Sequence, residues 1–328
     1  MFRFVAFLCL SVLMTSCLTV SKIDIELMRP AKVVLPAEVK QMGIVSLIPT
    51  KTYLFKGKSK TDTLRLDPGK ALARELVGSL RAQNRILAKN GDTLGLRNKL
   101  YPFSDSIPPA VLEFASTTLD VDSWLVIEKI SYRDTIELSA EILEESWRQH
   151  KLAAKYWLDV KWKIYGKNGN IIDSHYSSLA DQVVGYYPSI QLAVENVPTK
   201  KEIMELACNQ LTAQYIKRLL PYWESKERMI YSGTFDFVKA ENYLKNNQVD
   251  KAASIYRNYI NHKDNNLKVA ALHNMAVAAE MKGSMEAAVD WAKGSNKVYS
   301  SESEIKYIEE LETRLKEEGV IKNQLLIH

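Results

Sequence analysis

The chain has few of the residues from which catalytic and metal-binding motifs are built. Its 328 residues include three cysteines, Cys9, Cys17 and Cys208, and five histidines that are scattered without ligand spacing. It contains no G-x-S-x-G nucleophile motif, and Gly69-Lys70 lacks both the upstream glycine and the following Ser or Thr of a phosphate loop. These absences predict that the protein has no catalytic residues, no metal site and no cofactor.

The chain also lacks a concentrated charge of one sign. The formal net charge is +5, and the densest run of lysines, in residues 51–60, is followed closely by Asp62 and Asp67. This pattern indicates a solvated loop rather than a nucleic-acid-binding surface. The hydrophobic content of 46% is ordinary for a globular protein, and the length is sufficient for two domains.

The first 17 residues, MFRFVAFLCLSVLMTSC, follow the plan of an export signal. One positive charge at Arg3 precedes an apolar stretch from Phe4 to Met14, and small polar residues then lead to Cys17. The apolar stretch is shorter than the roughly 20 residues needed to span a bilayer. We therefore expect residues 1–16 to be a cleaved signal peptide.

The segment from Leu13 to Cys17 resembles the lipobox of bacterial lipoproteins. The resemblance implies that the Cys17 thiol is acylated, that residues 17–21 form a lipidated tether and that a membrane is one partner of the protein. The alternative is that Cys17 is an ordinary residue after a secretory signal. After processing and acylation only Cys208 remains as a thiol, so no internal disulfide is possible.

Residues 22–231 have the pattern of an α/β domain. Residues alternate between apolar and polar from Lys22 to Leu27, as in a half-buried strand, and further strands are expected at 32–35 and 42–48. Asp67 and Pro68 predict the start of a helix whose apolar stripe reaches Leu87, with Gly91 as its terminator. A second helix is expected to start at Pro108 or Pro109 and to bury Val111 and Phe114.

The remainder of this domain reads as a strand, a hairpin and a long helix. A strand at 124–130 is followed by an acidic stretch around 137–145 that we expect to be irregular, and residues 154–180 alternate around the loop Gly166–Asn170 as a hairpin does. Thr199 and Glu202 form a capping box for the last helix, which Pro221 ends. The sequence therefore predicts a mixed sheet with packed helices.

This α/β pattern resembles the amino-terminal domain of the translocation protein TolB, the curli secretion lipoprotein and the outer-membrane activators of penicillin-binding proteins. The segments that carry the resemblance include GIVSLIP, DSWLVIEKI and YWLDVKWKIYGKNGNIIDS. The resemblance implies an envelope-assembly fold. The curli-type likeness also implies an alternative function, as a subunit of an oligomeric outer-membrane export pore. A cell-wall hydrolase that uses a carboxylate pair is a further alternative.

Residues 232–328 have a purely helical period. AENYLKNNQVDKAASIYRNYI resembles a tetratricopeptide repeat, with Ala240 and Ala252 as the small residues between paired helices, and HNMAVAAEMKGSMEAAVDWAK repeats the pattern with Ala276 and Ala288. A plain helical bundle is the alternative. Ser301 starts a final capping helix. The candidate residues for a partner-binding groove are Tyr243, Tyr256, Tyr259 and Trp291.

As a whole, the chain resembles a family of uncharacterised Bacteroidota lipoproteins that contain a domain of unknown function. RPAKVVLP, LLPYWESKERMIYSG and KVAALHNMAVAAEMKGSMEAAVDWA carry this resemblance. The resemblance narrows location and architecture and supplies no activity. A repeat module beside an α/β domain without a recognisable catalytic constellation predicts a membrane-anchored, non-catalytic scaffold that binds an envelope protein or peptide and no nucleic acid. Leu18, in place of an inner-membrane retention aspartate, favours the outer membrane, and we expect the periplasmic face, with surface exposure as the alternative.

Overall fold

The computed structural model describes residues 18–48, 52–56, 61–65, 67–91, 107–144 and 147–327; for 52–56, 61–65, 141–144, 147–148 and 327 only the backbone is described. The predicted signal peptide and Cys17 lie outside the described residues. The elements, in chain order, are β1 (Thr19–Arg29), β2 (Gln41–Ser46), β3 (Thr52–Lys56), β4 (Thr61–Arg65), α1 (Pro68–Ala82), β5 (Leu87–Asn90), α2 (Pro109–Leu119), β6 (Ser123–Glu144), β7 (Trp147–Gly166), β8 (Ile171–Tyr187), α3 (Ile190–Glu195), α4 (Lys200–Leu219), β9 (Tyr222–Ser232), α5 (Phe235–Lys245), α6 (Val249–Arg257), α7 (Asn265–Met281), α8 (Met285–Val298) and α9 (Glu302–Ile327).

The fold is mixed α/β with a C-terminal helical region, and it divides into two compact units. The helical unit contains the described residues 18–30 together with 221–325, and the α/β unit contains residues 31–220. The sequence places the boundary at 231/232, whereas the structure groups β1 and β9 with the helices. The reason is that β9 pairs with β1 along its whole length and packs on the helices that follow it.

The α/β unit is built on a five-stranded sheet in the order β5-β2-β6-β7-β8. The pairs β2–β5 and β2–β6 are parallel, and the pairs β6–β7 and β7–β8 are antiparallel. A separate hairpin pairs β3 with β4. Helices α1 and α4 cover one face of the sheet, and α2 packs against Trp124 on the other face. This is the predicted mixed sheet with packed helices.

Helices α1 and α4 begin at the capping residues that the sequence predicts. The Asp67 carboxylate accepts a hydrogen bond from the Lys70 N–H at 3.0 Å, and Pro68 is the first helical residue of α1. The capping box of Thr199 and Glu202 starts α4 with both reciprocal hydrogen bonds. Each of these caps satisfies backbone donors that have no partner within the helix, a contribution of about 1 kcal/mol.

Several predicted boundaries were wrong. Helix α1 ends at Ala82, so Leu87 belongs to strand β5 and Gly91 follows that strand instead of ending a helix. Residues 32–35 form no strand. Phe114 is exposed, because α2 turns Leu112 and Ala115 towards the sheet. The acidic stretch is strand as far as Glu144, with a register shift between Ile142 and Glu144, because cross-strand pairing with β7 outweighs its unfavourable composition.

The predicted hairpin is present and longer than expected. It comprises β7 and β8, which pair from His150↔Tyr187 to Tyr165↔Ile171 around the loop Gly166–Asn170. Gly169 in this loop has φ of +86°, a conformation that costs glycine little and an L side chain much more. Together β6, β7 and β8 form one long antiparallel sheet segment.

The helical unit consists of the β1–β9 ribbon and helices α5 to α9. Alternate residues of β1 are buried against the helices, namely Ile23, Ile25 and Leu27. The alanines that recur every 36 residues, Ala240, Ala252, Ala276 and Ala288, are all fully buried. Gly283 adopts φ of +72° in the turn between α7 and α8. None of the helices in the described residues has the length and hydrophobicity to cross a membrane.

Candidate functional site

The four aromatic residues predicted to line a partner groove have different environments. Tyr256 has no exposed surface and packs edge-to-face on Phe237, so its side chain is not accessible to a partner. Tyr259 donates a hydrogen bond to the Asp236 carboxylate at 2.6 Å, and Tyr243 lies beneath the Lys251 ammonium group. Trp291 is half-buried against the core of the helical unit. These residues therefore contribute mainly to packing.

Strand β9 is held against helix α7 by side chains that hydrogen-bond to its backbone. The Asn274 amide accepts from the Tyr231 N–H at 2.8 Å and donates to the Tyr231 carbonyl at 2.7 Å. His273 Nε2 lies 3.0 Å from the Met229 carbonyl, and its Nδ1 lies 2.7 Å from a Glu304 oxygen. Asn274 thus satisfies the groups that a further β-strand would otherwise bind, and the outer edge of β9 is closed here.

A buried group of charged side chains lies next to this contact. Arg228 makes two hydrogen bonds to the Glu280 carboxylate, at 2.9 and 2.8 Å, and a third to Glu310 at 2.6 Å. Tyr307 also donates to Glu280, at 2.9 Å, and Arg314 contacts the same carboxylate. Burial alone would lower the pKa of Arg228, but these carboxylates raise it above its usual value. The group joins β9, α7 and α9.

Sequence reasoning missed these buried polar residues. His273, Asn274 and Glu280 lie within the apolar run LHNMAVAAEM. A signal was nevertheless present. Polar residues seven positions apart on a helix share a face, so Glu280 and His273 mark a polar stripe on a helix that is otherwise buried.

A charged cavity of about 410 Å³ lies between the ribbon and α9. The basic residues that line it include Arg29, Lys226 and Arg228. Arg29 pairs with Glu317 at 3.0 Å, and Lys226 lies 3.5 Å from Glu310. Because these cations are paired within the unit, the cavity offers little uncompensated charge to an ionic ligand.

The α/β unit contains a buried acid of its own. A β-bulge in β6 places Glu128 between Lys161, at 2.8 Å, and Lys163, at 2.5 Å, and Tyr165 donates to the same carboxylate at 3.2 Å. Burial would raise the pKa of Glu128, but hydrogen bonds from the two lysines lower it below its usual value. This carboxylate is therefore charged at neutral pH and serves as the partner of two cations.

Asp120, Asp122 and Cys208 have local structural roles. The Asp122 carboxylate accepts from the backbone N–H groups of Lys40 and Gln41, and Asp120 pairs with Lys89. Cys208 is buried on α4, and burial raises the pKa of its thiol to about 12, so the thiol stays protonated. Among the described residues, no three His, Cys, Asp or Glu side chains come close enough to hold a metal ion.

The outer edge of β8 differs from that of β9. The sheet order ends at β8, which has 17 residues and contains neither lysine nor proline. Long edge strands usually carry such residues, because they prevent pairing with another chain. No described strand pairs with this edge. The sequence predicted the strand, but it gave no indication that the strand lies at the edge of the sheet.

The hydrogen bonds of β8 show which of its backbone groups point outward. The Gln182 N–H donates to the Asp181 carboxylate at 2.8 Å, on the side of β8 away from β7. Because inward and outward groups alternate along an antiparallel strand, the even-numbered residues of β8 direct their N–H and C=O groups away from the sheet. Most of the side chains at these positions are exposed, including Tyr176, Ser178, Ala180 and Gln182.

Two solved structures that match the chain are distant in sequence. A minor lipoprotein from Acinetobacter baumannii is 12% identical with a TM-score of 0.25, and the match covers 55% of this chain and 92% of that chain. A hypothetical protein from Chlamydia trachomatis is 12% identical with a TM-score of 0.29, over 55% and 95% of the two chains. Both TM-scores are too low to establish a shared fold. No curated protein matches the chain.

Two family models match the chain, one on each side of the junction between β9 and α5. The model described as a domain of unknown function (DUF6340) matches residues 238–315, within the helices of the helical unit. The model described as a domain of unknown function (DUF8603) matches residues 56–231, which is more than half of the chain. The chain therefore belongs to the family of this second domain of unknown function, DUF8603.

Proposed function

We propose that the protein is a membrane-anchored, non-catalytic lipoprotein of the cell envelope that acts as a protein-interaction or assembly scaffold. The anchor is inferred from the signal-like segment 1–16 and from the lipobox-like segment that ends at Cys17. Leu18 favours the outer membrane. The periplasmic face is part of the same proposal, because no acidic run follows Cys17.

The scaffold role is supported by one observation above all, the open edge of β8. Seven even-numbered residues from Ser174 to Tyr186 direct backbone groups outward along a strand that contains neither lysine nor proline and with which no described strand pairs on that side. A partner that adds an extended segment to such an edge gains affinity from backbone hydrogen bonds and specificity from alternate side chains. We therefore place the main interaction surface on β8 and not on the aromatic residues of the helices.

The helical unit has a supporting role in this proposal. We interpret α5/α6 and α7/α8 as two tetratricopeptide-like pairs, because small alanines recur in their interfaces at a spacing of 36 residues. Two such pairs are fewer than usually stand alone. The ribbon and α9 complete the buried core in place of further repeats.

Site-specific photo-crosslinking in intact membranes tests the scaffold role. A crosslinking amino acid at Tyr176 or Gln182 is expected to form adducts with a protein partner, and Ala180→Pro is expected to reduce those adducts, because it removes an outward N–H. Ala180→Thr is the matched control, since it keeps the N–H group and suits a strand. Adducts that form at Tyr243 and Trp291 but not on β8 would show that the interaction surface lies on the helices instead.

The same membranes distinguish the other functions that the sequence suggests. Absence of protein adducts at all four positions would contradict the scaffold role. Detergent-resistant rings seen by electron microscopy would support the export-pore alternative. Turnover of cell-wall substrates that is lost on substitution of specific acids would support the hydrolase alternative.

A further inference from the structure

The proposed acylation site is separated from folded structure by a single residue. Leu18 lies between Cys17 and the first residue of β1, Thr19, and it packs partly against the core of the helical unit. Because an extended chain spans at most about 3.6 Å per residue, the Cα atoms of Cys17 and Thr19 are at most roughly 7 Å apart. Acyl chains on Cys17 would therefore hold this end of the β1–β9 ribbon at the lipid surface.

Exposed apolar side chains cluster at the same end of the ribbon. Val20 is 57% exposed and Met229 is 49% exposed. Both lie on the outward face of the ribbon, as diagonal neighbours, because Val20 pairs with Tyr231 and Met229 pairs with Lys22. Phe235, which is 85% exposed, begins α5 three residues after Ser232, the partner of Thr19. Val20, Met229 and Phe235 are called the anchor-end patch below.

The charges along the outward face change with distance from this end. The first two cross-strand rows contain Val20, Tyr231, Lys22 and Met229, whereas the next two contain Asp24, Glu227 and Glu26. Lys22 pairs with Glu227 at 2.7 Å, and next to Phe235 the Asp236 carboxylate accepts from Tyr259. The apolar end thus has its nearest acids paired, and the acidic rows lie farther from Cys17, as an anionic lipid surface would require.

We infer that the anchor-end patch is a second membrane contact, which inserts into the interfacial region of the bilayer beside the acyl chains and fixes the orientation of the helical unit. This inference rests on the proposed acylation of Cys17. The strength of membrane binding rises with the apolar area buried in the interfacial region. Large apolar side chains next to the lipid add such area to that of the acyl chains, and a bilayer is the occupant that the position of Cys17 brings to them.

The test uses the acylated full-length protein in vesicles of phosphatidylethanolamine and phosphatidylglycerol. A polarity-sensitive fluorophore is attached at Phe235→Cys or Met229→Cys, and at Trp223→Cys as the matched control. Trp223 is 61% exposed on the same outward face, but it pairs with Met28, eight residues from Val20 and so roughly 27 Å away at about 3.4 Å per residue. The buried Cys208 thiol does not compete for the label.

We expect a blue shift and quenching by brominated lipids at positions 229 and 235 and neither change at 223. Equal quenching at all three positions, or none at 229 and 235 in protein that floats with the vesicles, would overturn the inference while leaving the anchor intact. A blue shift without vesicles that grows with protein concentration would identify a second copy as the occupant, and would also overturn it. If the protein does not float, or if Cys17→Ser floats equally well, the acylation proposal fails and the inference fails with it.

Discussion

Strands β9 and β8 both have outward-pointing backbone N–H and C=O groups, and they differ in how these groups are hydrogen-bonded. On β9, Asn274 takes both outward-pointing backbone groups of Tyr231 and His273 bonds to the carbonyl of Met229. On β8, the Gln182 N–H donates to the neighbouring Asp181 carboxylate, and the strand contains no lysine or proline. The chain thus uses buried polar side chains to close one edge, whereas no strand in the described part of the chain pairs with the other.

The two units also hold their buried charges differently. In the helical unit Glu280 has no exposed surface and binds two arginines and a tyrosine from other elements, so it connects the ribbon to the helices. In the α/β unit Glu128 binds two lysines and a tyrosine that all lie on the neighbouring strand β7. Removal of the Glu280 carboxylate should therefore destabilise the helical unit as a whole. Removal of the Glu128 carboxylate should have a more local effect on the α/β unit.

The largest effect on stability is expected from Glu280→Ala. This change leaves Arg228 and Arg314 without their shared carboxylate, and an uncompensated buried charge costs about 3–5 kcal/mol. Urea unfolding followed by circular dichroism measures the loss. Glu309→Ala, on the charged face of α9, is the control and should change little. Equal stability of the two variants would show that the buried group does not hold the ribbon.

The next largest effect is expected from Asn274→Ala, which opens the edge of β9. Two hydrogen bonds to Tyr231 are lost, and each unsatisfied group costs about 1–3 kcal/mol. We expect faster hydrogen exchange at the Tyr231 amide than in the wild type. Asn246→Ala, at the end of α5, should leave that amide unchanged. Unaltered exchange at Tyr231 in the Asn274 variant would mean that the strand edge is protected by something other than this side chain.

A smaller, pH-dependent effect is expected from Glu128→Gln. The pKa of Glu128 is lowered in the folded protein, so its charge stabilises the fold above the unfolded-state pKa of about 4.3, and that stabilisation is lost as the pH falls through the folded-state pKa. The wild type should therefore lose more stability on acidification than Glu128→Gln does. Glu137→Gln, which breaks an exposed pair with Lys155, is the control. Identical acid profiles for wild type and Glu128→Gln would contradict this account.

The smallest effect on stability is expected from Ala180→Pro, and it sharpens the comparison of the two edges. Its N–H points outward, so no hydrogen bond to β7 is lost, and the cost should stay below about 1 kcal/mol. Leu179→Pro removes an inward N–H with its hydrogen bond to β7, together with a buried side chain, and should cost more. Thermal unfolding of the two variants measures the difference. Equal destabilisation would show that the alternation along β8 has been assigned incorrectly.

Local features of the fold were predictable from the sequence, and distant pairings were not. Asp67, Thr199 and the loop Gly166–Asn170 each act within a few residues, and the structure contains the predicted caps and hairpin. The pairing of β1 with β9 joins segments about 200 residues apart, and no local signal in either strand specifies the other. The same limit applies to the edge position of β8.

The candidate site was less predictable than the fold, for a related reason. A large aromatic residue in a helical repeat packs in the core more often than it contacts a partner, and the full burial of Tyr256 is an example. The polar stripe of His273, Asn274 and Glu280 was detectable in principle, but its role depends on a strand that the sequence did not place beside α7. The edge of β8 becomes visible only when the order of the strands is known.

The central claim is that the protein works while attached to a lipid surface through Cys17, and metabolic labelling with a palmitate analogue tests it most directly. We expect the wild type to be labelled and to sediment with outer membranes, and we expect Cys17→Ser to be unlabelled and released from them. A wild-type protein that never takes up the label, or a Cys17→Ser protein that fractionates as the wild type does, would contradict the account.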